Sequence, residues 1–222
     1  MNPGSVERAK LSLGTSSTAI YATVARILAD RGRSNQNLLD VGCGTGQLHE
    51  FVKPHASKYC GADVVQYEAF PKSLEFIPVD LNATTWPVPA DTYDAVVSAE
   101  TIEHLENPRA FVRELVRIAK PNGLVVVTTP NNLSLLSKLT LLLKNKFNAF
   151  QDANYPAHIT ALVEIDLRRI FTECGLTEIS VRYTNQGRLP GMARSWPSWL
   201  GFRGRRFSDN IAIAGLKATK GA

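Results

Sequence analysis

One stretch, Leu38-Leu39-Asp40-Val41-Gly42-Cys43-Gly44-Thr45-Gly46, constrains the fold more than any other: an apolar run breaks into glycines at alternate positions. β-formers leading into closely spaced glycines predict a buried parallel strand that turns tightly into a helix, with backbone exposed to a ligand where no Cβ intervenes. Spacing excludes two kinds of nucleotide loop. A phosphate-cradling loop ends in Gly-Lys-Ser/Thr, whereas Gln47 and Leu48 follow Gly46. The dinucleotide fingerprint G-x-G-x-x-G needs a further glycine at the position where Gln47 stands. What remains is D-x-G-x-G-x-G after a strand.

Around this stretch the chain alternates helix and strand. Ile20, Val24, Ile27 and Leu28 recur at helical spacing and predict a helix within 16–31, capped by Ser16, Ser17 or Thr18. A short helix from Gln47 ends at Pro54, and a second strand over 58–65 carries Gly61-Ala62-Asp63. In a doubly wound sheet an acid at the end of the second strand lies beside the glycine loop, placed to accept both hydroxyls of a ribose, which assigns that role to Asp63 next to Val64. Further strands are expected over 75–79 (closed by Asp80-Leu81), 93–99, 124–129, 176–183 and 210–217, with helices over 107–118 and 163–174. With 222 residues, 44% of them apolar, the chain reads as a single α/β domain spanning 1–222.

Two segments exceed that pattern. Leu133 to Phe150 combines leucines and phenylalanines with Lys138, Lys144 and Lys146 and no acid, which predicts a basic, strongly apolar helix in an insertion spanning 133–156. Such a helix serves as a lid over substrate, dips into a membrane surface, or packs in the core. The second segment, 184–209, is a long loop before the last strand with Trp196, Trp199 and Phe202 among arginines. The formal charge is +5, and the arginines between Arg182 and Arg206 have no acid among them, so this region reads either as an anion-attracting surface or as a solvated loop. Cys43, Cys60 and Cys174 lack metal-type spacing and read as buried thiols. No apolar run reaches the length of about 18 residues that a membrane span needs, and the first residues lack a secretory pattern. The expected location is therefore cytoplasmic, with peripheral membrane contact through 133–150 or 184–206.

The glycine motif, Asp63, Asp80-Leu81, and the segments Thr85-Trp86-Pro87-Val88-Pro89 and Asp91-Thr92-Tyr93-Asp94 resemble, in order, the class I S-adenosylmethionine-dependent methyltransferases from Leu38 to Asn131. The resemblance implies a Rossmann-like seven-stranded, mostly parallel sheet with helices on both faces and the last strand antiparallel. It implies S-adenosylmethionine as cofactor, held by Asp40, Gly42, Cys43, Gly44, Gly46, Asp63, Val64, Asp80, Leu81 and Glu100, with Asp80 on the adenine amino group.

On the reaction side stands Glu100-Thr101-Ile102-Glu103-His104, with His158 further on. Two carboxylates and two imidazoles supply a mixed oxygen and nitrogen set for a divalent metal such as Mg²⁺, with Glu100, Glu103, His104 and His158 as its candidate ligands. The pattern resembles the ubiquinone-biosynthesis O-methyltransferases and the small-RNA 3′-end 2′-O-methyltransferases. In metal-free relatives the same histidine serves as general base, and the candidate catalytic residues are His104, Glu103 and His158. The expected activity is O-methylation of a small or lipid-linked acceptor. Alternatives are RNA 2′-O-methylation, for which arginines would hold phosphates and tryptophans would stack on bases, and a non-catalytic cofactor-binding module.

Overall fold

Strands buried on both faces need an apolar residue at every position, and alternate residues then feed two separate cores. A computed structural model describes residues 3–188 and 195–219. In chain order its elements are α1 (Pro3–Leu11), α2 (Thr18–Asp30), β1 (Gln36–Val41), α3 (Leu48–Val52), β2 (Ala56–Asp63), β3 (Glu75–Pro78), β4 (Tyr93–Ala99), α4 (Pro108–Ile118), β5 (Ala119–Pro130), α5 (Leu135–Lys144), α6 (Glu164–Glu173), β6 (Leu176–Tyr183) and β7 (Asn210–Lys217). The strands form one sheet in the order β3-β2-β1-β4-β5-β7-β6. Neighbours from β3 through β5 pair in parallel, and β7 runs antiparallel to both β5 and β6. This is the seven-stranded arrangement expected from the sequence.

Side chains divide between the faces as the period of two requires. Leu39, Val96, Val125 and Val127 point into a core closed by Phe111, Val112 and Leu115 of α4 and Leu167, Ile170 and Phe171 of α6. Their neighbours Leu38, Ala95, Val97, Leu124 and Val126 point to the other side, against Val24, Ile27 and Leu28 of α2 and Leu48 and Val52 of α3. The chain order reverses between β1, which turns to β2, and β4 on its other flank. A crevice opens at such a switch point, outside the carboxyl ends of the strands. Local capping sets α4 beside it: Pro108 occupies the first turn and the Asn107 side chain accepts from the Ala110 N–H at 3.0 Å.

The insertion differs from its expected form. Instead of a helix over 133–150, α5 covers only Leu135–Lys144, because Ser134 caps its start and Asn145 takes a left-handed conformation (φ 55°) at its end. The α1 helix is an addition that its weakly patterned sequence did not announce. The fifth strand starts earlier than expected, at Ala119, and carries Pro121-Asn122-Gly123 across an irregularity in its pairing with β4. Among the described residues no helix is long and apolar enough to cross a membrane. Cys43 and Cys60 are buried, whereas Cys174 is partly exposed.

Candidate active site

The glycine loop sits at the switch point, and its glycines are there for two reasons. Gly42, Gly44 and Gly46 all adopt left-handed backbone (φ 74°, 51° and 78°). A Cβ on Gly42 would lie 2.2 Å from the Thr101 hydroxyl oxygen, and one on Gly44 would lie 2.1 Å from the Gly14 carbonyl oxygen. The loop is braced against β2: Gly42 N–H donates to the Ala62 carbonyl at 2.7 Å, and Gly44 N–H to Asp63 Oδ2 at 2.9 Å. Asp63 Oδ1 accepts from the Val64 N–H at 2.6 Å. Asp63 thus ties the loop to its own strand end. Burial pushes its carboxyl up in pKa, while these amides pull it back down.

Asp40 is buried at the loop's entrance, where its Oδ2 accepts from the Tyr59 hydroxyl at 2.5 Å. Its Oδ1 is equally buried and has no partner among the described residues. Burial raises the Asp40 pKa to about 7 against the stabilising bond from Tyr59. Asp40, Gly42, Cys43 and Glu100 line a cavity of about 510 Å³. Asp63, Val64, Asp80 and Leu81 line a smaller one of about 60 Å³ on the other side of the loop. Eight of the expected cofactor residues therefore border two adjoining spaces, one beside Asp40 and one beside Asp80, whereas Gly44 and Gly46 line neither and pack against Gly14 and against Phe70 and Pro71.

On the reaction side, Glu103 and His104 lie in a short 3₁₀ turn, Ile102–His104, directly after β4. Glu103 is fully buried; its Oε2 accepts from the Thr129 hydroxyl at 3.1 Å, and its Oε1 has no partner among the described residues. Burial raises its pKa to about 8. The Glu103 carbonyl accepts from the Ile159 and Thr160 N–H groups (2.9 and 3.0 Å), which fastens the His158 segment to this turn. His104 Nδ1 meets the Ala157 carbonyl at 2.8 Å and His158 Nδ1 meets the Ala149 carbonyl at 2.6 Å. A carbonyl only accepts, so both Nδ1 atoms carry protons and each Nε2 of the neutral ring is an acceptor. Burial lowers both imidazole pKa values, with His104 adding to the effect on His158. The rings stand edge to face, 4.9 Å apart.

Glu103, His104 and His158 each offer a ligand atom, all within 4.8 Å of one another. Glu100 is placed apart from that set. Its carboxylate accepts from the Thr128 hydroxyl (2.8 Å) and the Asn210 amide (2.6 Å), tying β4 to β5 and β7 across the cavity wall. Burial and the neighbouring Glu103 raise its pKa.

Sequence reading missed the N-terminal segment. Ser5, Arg8 and Ala9 line the smaller cavity, and Ser12, Gly14, Ser16 and Tyr21 line the larger. The segment is strapped down at several points. Arg8 pairs with Glu106 at 3.0 Å, the Asn82 amide donates to the Ser5 hydroxyl at 3.2 Å, the Tyr67 hydroxyl donates to the Ala9 carbonyl, and Thr45 N–H donates to the Gly14 carbonyl at 2.9 Å. None of these partners is near in sequence. In the 184–209 loop, Trp196 packs edge-on against Phe202 and Phe207, while Trp199 is exposed. Residues 189–194 of that loop, including Arg194, lie outside the described residues.

A family model described as a methyltransferase domain matches residues 16–181. The chain is similar to the probable S-adenosylmethionine-dependent methyltransferase of Mycolicibacterium smegmatis, at 28% identity over 74% of this chain and 64% of that protein. It is also similar to the mitochondrial ubiquinone biosynthesis O-methyltransferase of Schizosaccharomyces pombe, at 31% identity over 50% of this chain and 43% of that protein. The match thus spans less than two thirds of the length of either relative. A solved SAM-dependent methyltransferase from Thermotoga maritima has the same fold, with a TM-score of 0.66 at 16% identity over 95% of this chain and 91% of that one.

Proposed function

The chain belongs to the methyltransferase-domain family, and from that premise we propose that it transfers the methyl group of S-adenosylmethionine to a hydroxyl of a small or lipid-linked acceptor. In this reading the cofactor supplies an electrophilic methyl on a sulfonium sulfur. The glycine loop, with Gly42 facing both cavities, borders the cofactor's amino-acid tail. Asp40 Oδ1, buried and unpartnered, receives the ammonium group. Asp63 and Val64 border the ribose, and Asp80 and Leu81 the adenine. The similarity to a ubiquinone biosynthesis O-methyltransferase supports oxygen as the accepting atom.

The single observation that carries the reading is the convergence of Glu103, His104 and His158 on the same cavity that Asp40 and Gly42 line. His104, kept neutral by burial and oriented by the bond from Nδ1 to the Ala157 carbonyl, accepts the hydroxyl proton at Nε2 as the oxygen attacks. Orientation beside the methyl supplies much of the rate.

The same three side chains fit a divalent metal. Glu103 Oε1 is a buried acceptor with nothing to accept, and both histidines present an unprotonated Nε2. Bound there, a metal would lower the pKa of the acceptor hydroxyl. Titration of Mn²⁺ followed by electron paramagnetic resonance, with S-adenosylhomocysteine binding measured by calorimetry alongside, tests this. Stoichiometric Mn²⁺ binding that is lost in His158→Ala supports the metal, and no binding at millimolar Mn²⁺ rejects it. Failure of S-adenosylhomocysteine to bind would reject the methyltransferase reading itself.

The outer face of α5 supports a lipid-linked acceptor and contact with a membrane surface. Leu135, Leu139, Leu142 and Leu143 are exposed along one side of that helix, with Leu141 exposed off that side, and Lys138 flanks the stripe.

A further inference from the structure

The walls of the larger cavity beyond Glu103 and His104 do not suit an aromatic acceptor. Ligand pockets are ordinarily lined by apolar and aromatic side chains with a few polar groups among them. Here the wall is made by Asn132, Ser137, Asn148, Asn154, Gln186 and Ser195, contributed by the end of β5, the first turn of α5, the segment that carries His158 and the connection between β6 and β7. Among the described residues these segments add no aromatic carbon face and only Pro130, Ala149 and Gly187 as apolar members, while the cavity's larger apolar side chains, Ile20 and Tyr21, come from α2. A flat phenol or quinone ring placed here would strip water from amides and hydroxyls without returning hydrogen bonds.

Several of these groups are buried and wait for a partner. Asn132 is 2% exposed; its amide donates to the Leu162 carbonyl at 2.8 Å, and its Oδ1 has no partner among the described residues. Ser137, also 2% exposed, accepts from the Asn148 N–H at 3.2 Å, so its own hydrogen is left to donate. With Glu103 Oε1, the cavity presents fixed acceptors and donors on several sides. A ligand that carries hydroxyls around a ring answers them, because each hydroxyl both donates and accepts.

The charge of the wall selects further. Asp40, Glu100, Glu103 and Asp209 line the cavity against one described arginine, Arg188, whose guanidinium is bound to Asp209 at 2.6 Å. A phosphate entering this space would find no unpaired arginine or lysine among the described lining residues, only buried acids that burial drives toward the neutral form.

Resting on the methyltransferase reading above, we propose that the acceptor group is an uncharged polyhydroxylated ring, a glycosyl unit. Asn132 and Ser137 bind its hydroxyls and present one of them to His104. In the transfer, that hydroxyl oxygen bonds to the methyl carbon while the carbon–sulfur bond breaks. Its electron pair stays on sulfur, and the hydroxyl proton goes to His104 Nε2.

The test first measures S-adenosylhomocysteine binding to the full chain by calorimetry. Methyl-labelled S-adenosylmethionine is then supplied with three probe sets: octyl rhamnoside, mannoside and glucoside; 4-octylcatechol; and a short single-stranded RNA with a free 3′ end. Label in at least one octyl glycoside, exceeding that in catechol and RNA by about ten-fold or more, is the expected result. Asn132→Leu should then lower kcat/KM for that glycoside by about ten-fold with S-adenosylhomocysteine affinity kept, and Ser137→Ala provides the same readout with less risk to folding. With S-adenosylhomocysteine bound, label in catechol or RNA, or in none of the probes, overturns the glycosyl assignment. No S-adenosylhomocysteine binding overturns the methyltransferase reading beneath it.

Discussion

Replacing Tyr59 with phenylalanine removes one hydroxyl from beneath the cofactor site and leaves the ring, with its edge-on contact to His49 at 5.0 Å, in place. That hydroxyl donates to Asp40 at 2.5 Å and is the favourable contribution that keeps the buried carboxylate ionisable at all. The groups around Asp40 otherwise oppose its charge: Asp63 does so directly, and Tyr21, Tyr59 and Cys43 feel the Asp40 charge in return. Losing a hydrogen bond to a charged group costs about 1.5–3 kcal/mol, which is about one to two pKa units. Asp40, at about 7 in the folded protein, would then titrate near 8 to 9, roughly. If the ionised form receives the cofactor's ammonium, the competent fraction at pH 7.5 drops from about three quarters to between about a quarter and a few per cent, and affinity weakens about 3- to 25-fold.

The assay is calorimetric titration of S-adenosylhomocysteine from pH 6 to 8.5. The parent protein should bind more tightly as pH rises through about 7, with the Tyr59→Phe profile displaced upward. Superimposable profiles would refute the role given to Asp40. Stability moves the other way. The folded pKa of Asp40 lies above its ordinary 3.8, so its contribution is fully present below pH 3.8 and is lost as pH rises toward about 7.

Two other perturbations probe the surroundings of the site. Gly44→Ala places a methyl 2.1 Å from the Gly14 carbonyl and forces a strained backbone (φ 51°), so the N-terminal strap should lift. Faster amide hydrogen exchange over residues 3–14, with weaker S-adenosylhomocysteine binding, is the expected outcome, and unchanged exchange there would show that the strap does not rest on the glycine loop. For α5, sedimentation with vesicles rich in phosphatidylglycerol should carry down the parent protein, while Leu139→Glu/Leu142→Glu stays in the supernatant; equal partitioning would remove the membrane-facing role.

Much of the frame was legible because its signals are local. Leu38 and Leu39 are adjacent and apolar because they serve opposite faces of one buried strand, and that alternation reads directly from the chain. The seven-stranded, mostly parallel sheet with an antiparallel last strand followed from the resemblance carried by motifs between Leu38 and Asn131, and the sheet has that form. The insertion was legible only in composition. Its leucines announced a helix, but where that helix stops depended on Asn145 adopting a left-handed turn, a choice that neighbouring contacts influence as much as the residue type.

What the sequence alone determined is the glycine loop: glycines at 42, 44 and 46 and an acid at 40, whose spacing excludes the phosphate-cradling and dinucleotide loops whatever else the chain does. Tertiary structure decided the partners of the acids and histidines around it. Glu100 and Glu103 are both candidate metal ligands as neighbours in sequence. Yet Glu100 is bound by Asn210, 110 residues away, while Glu103 keeps a buried oxygen free beside His104 and His158. His104 itself is oriented by a carbonyl 53 residues further on, and α1 reaches the site through Asn82 and Glu106. Spacing encodes backbone conformation because φ and ψ are set by near neighbours. The partner of a buried carboxylate is set by which distant segments pack against it, and only the folded chain brings those together.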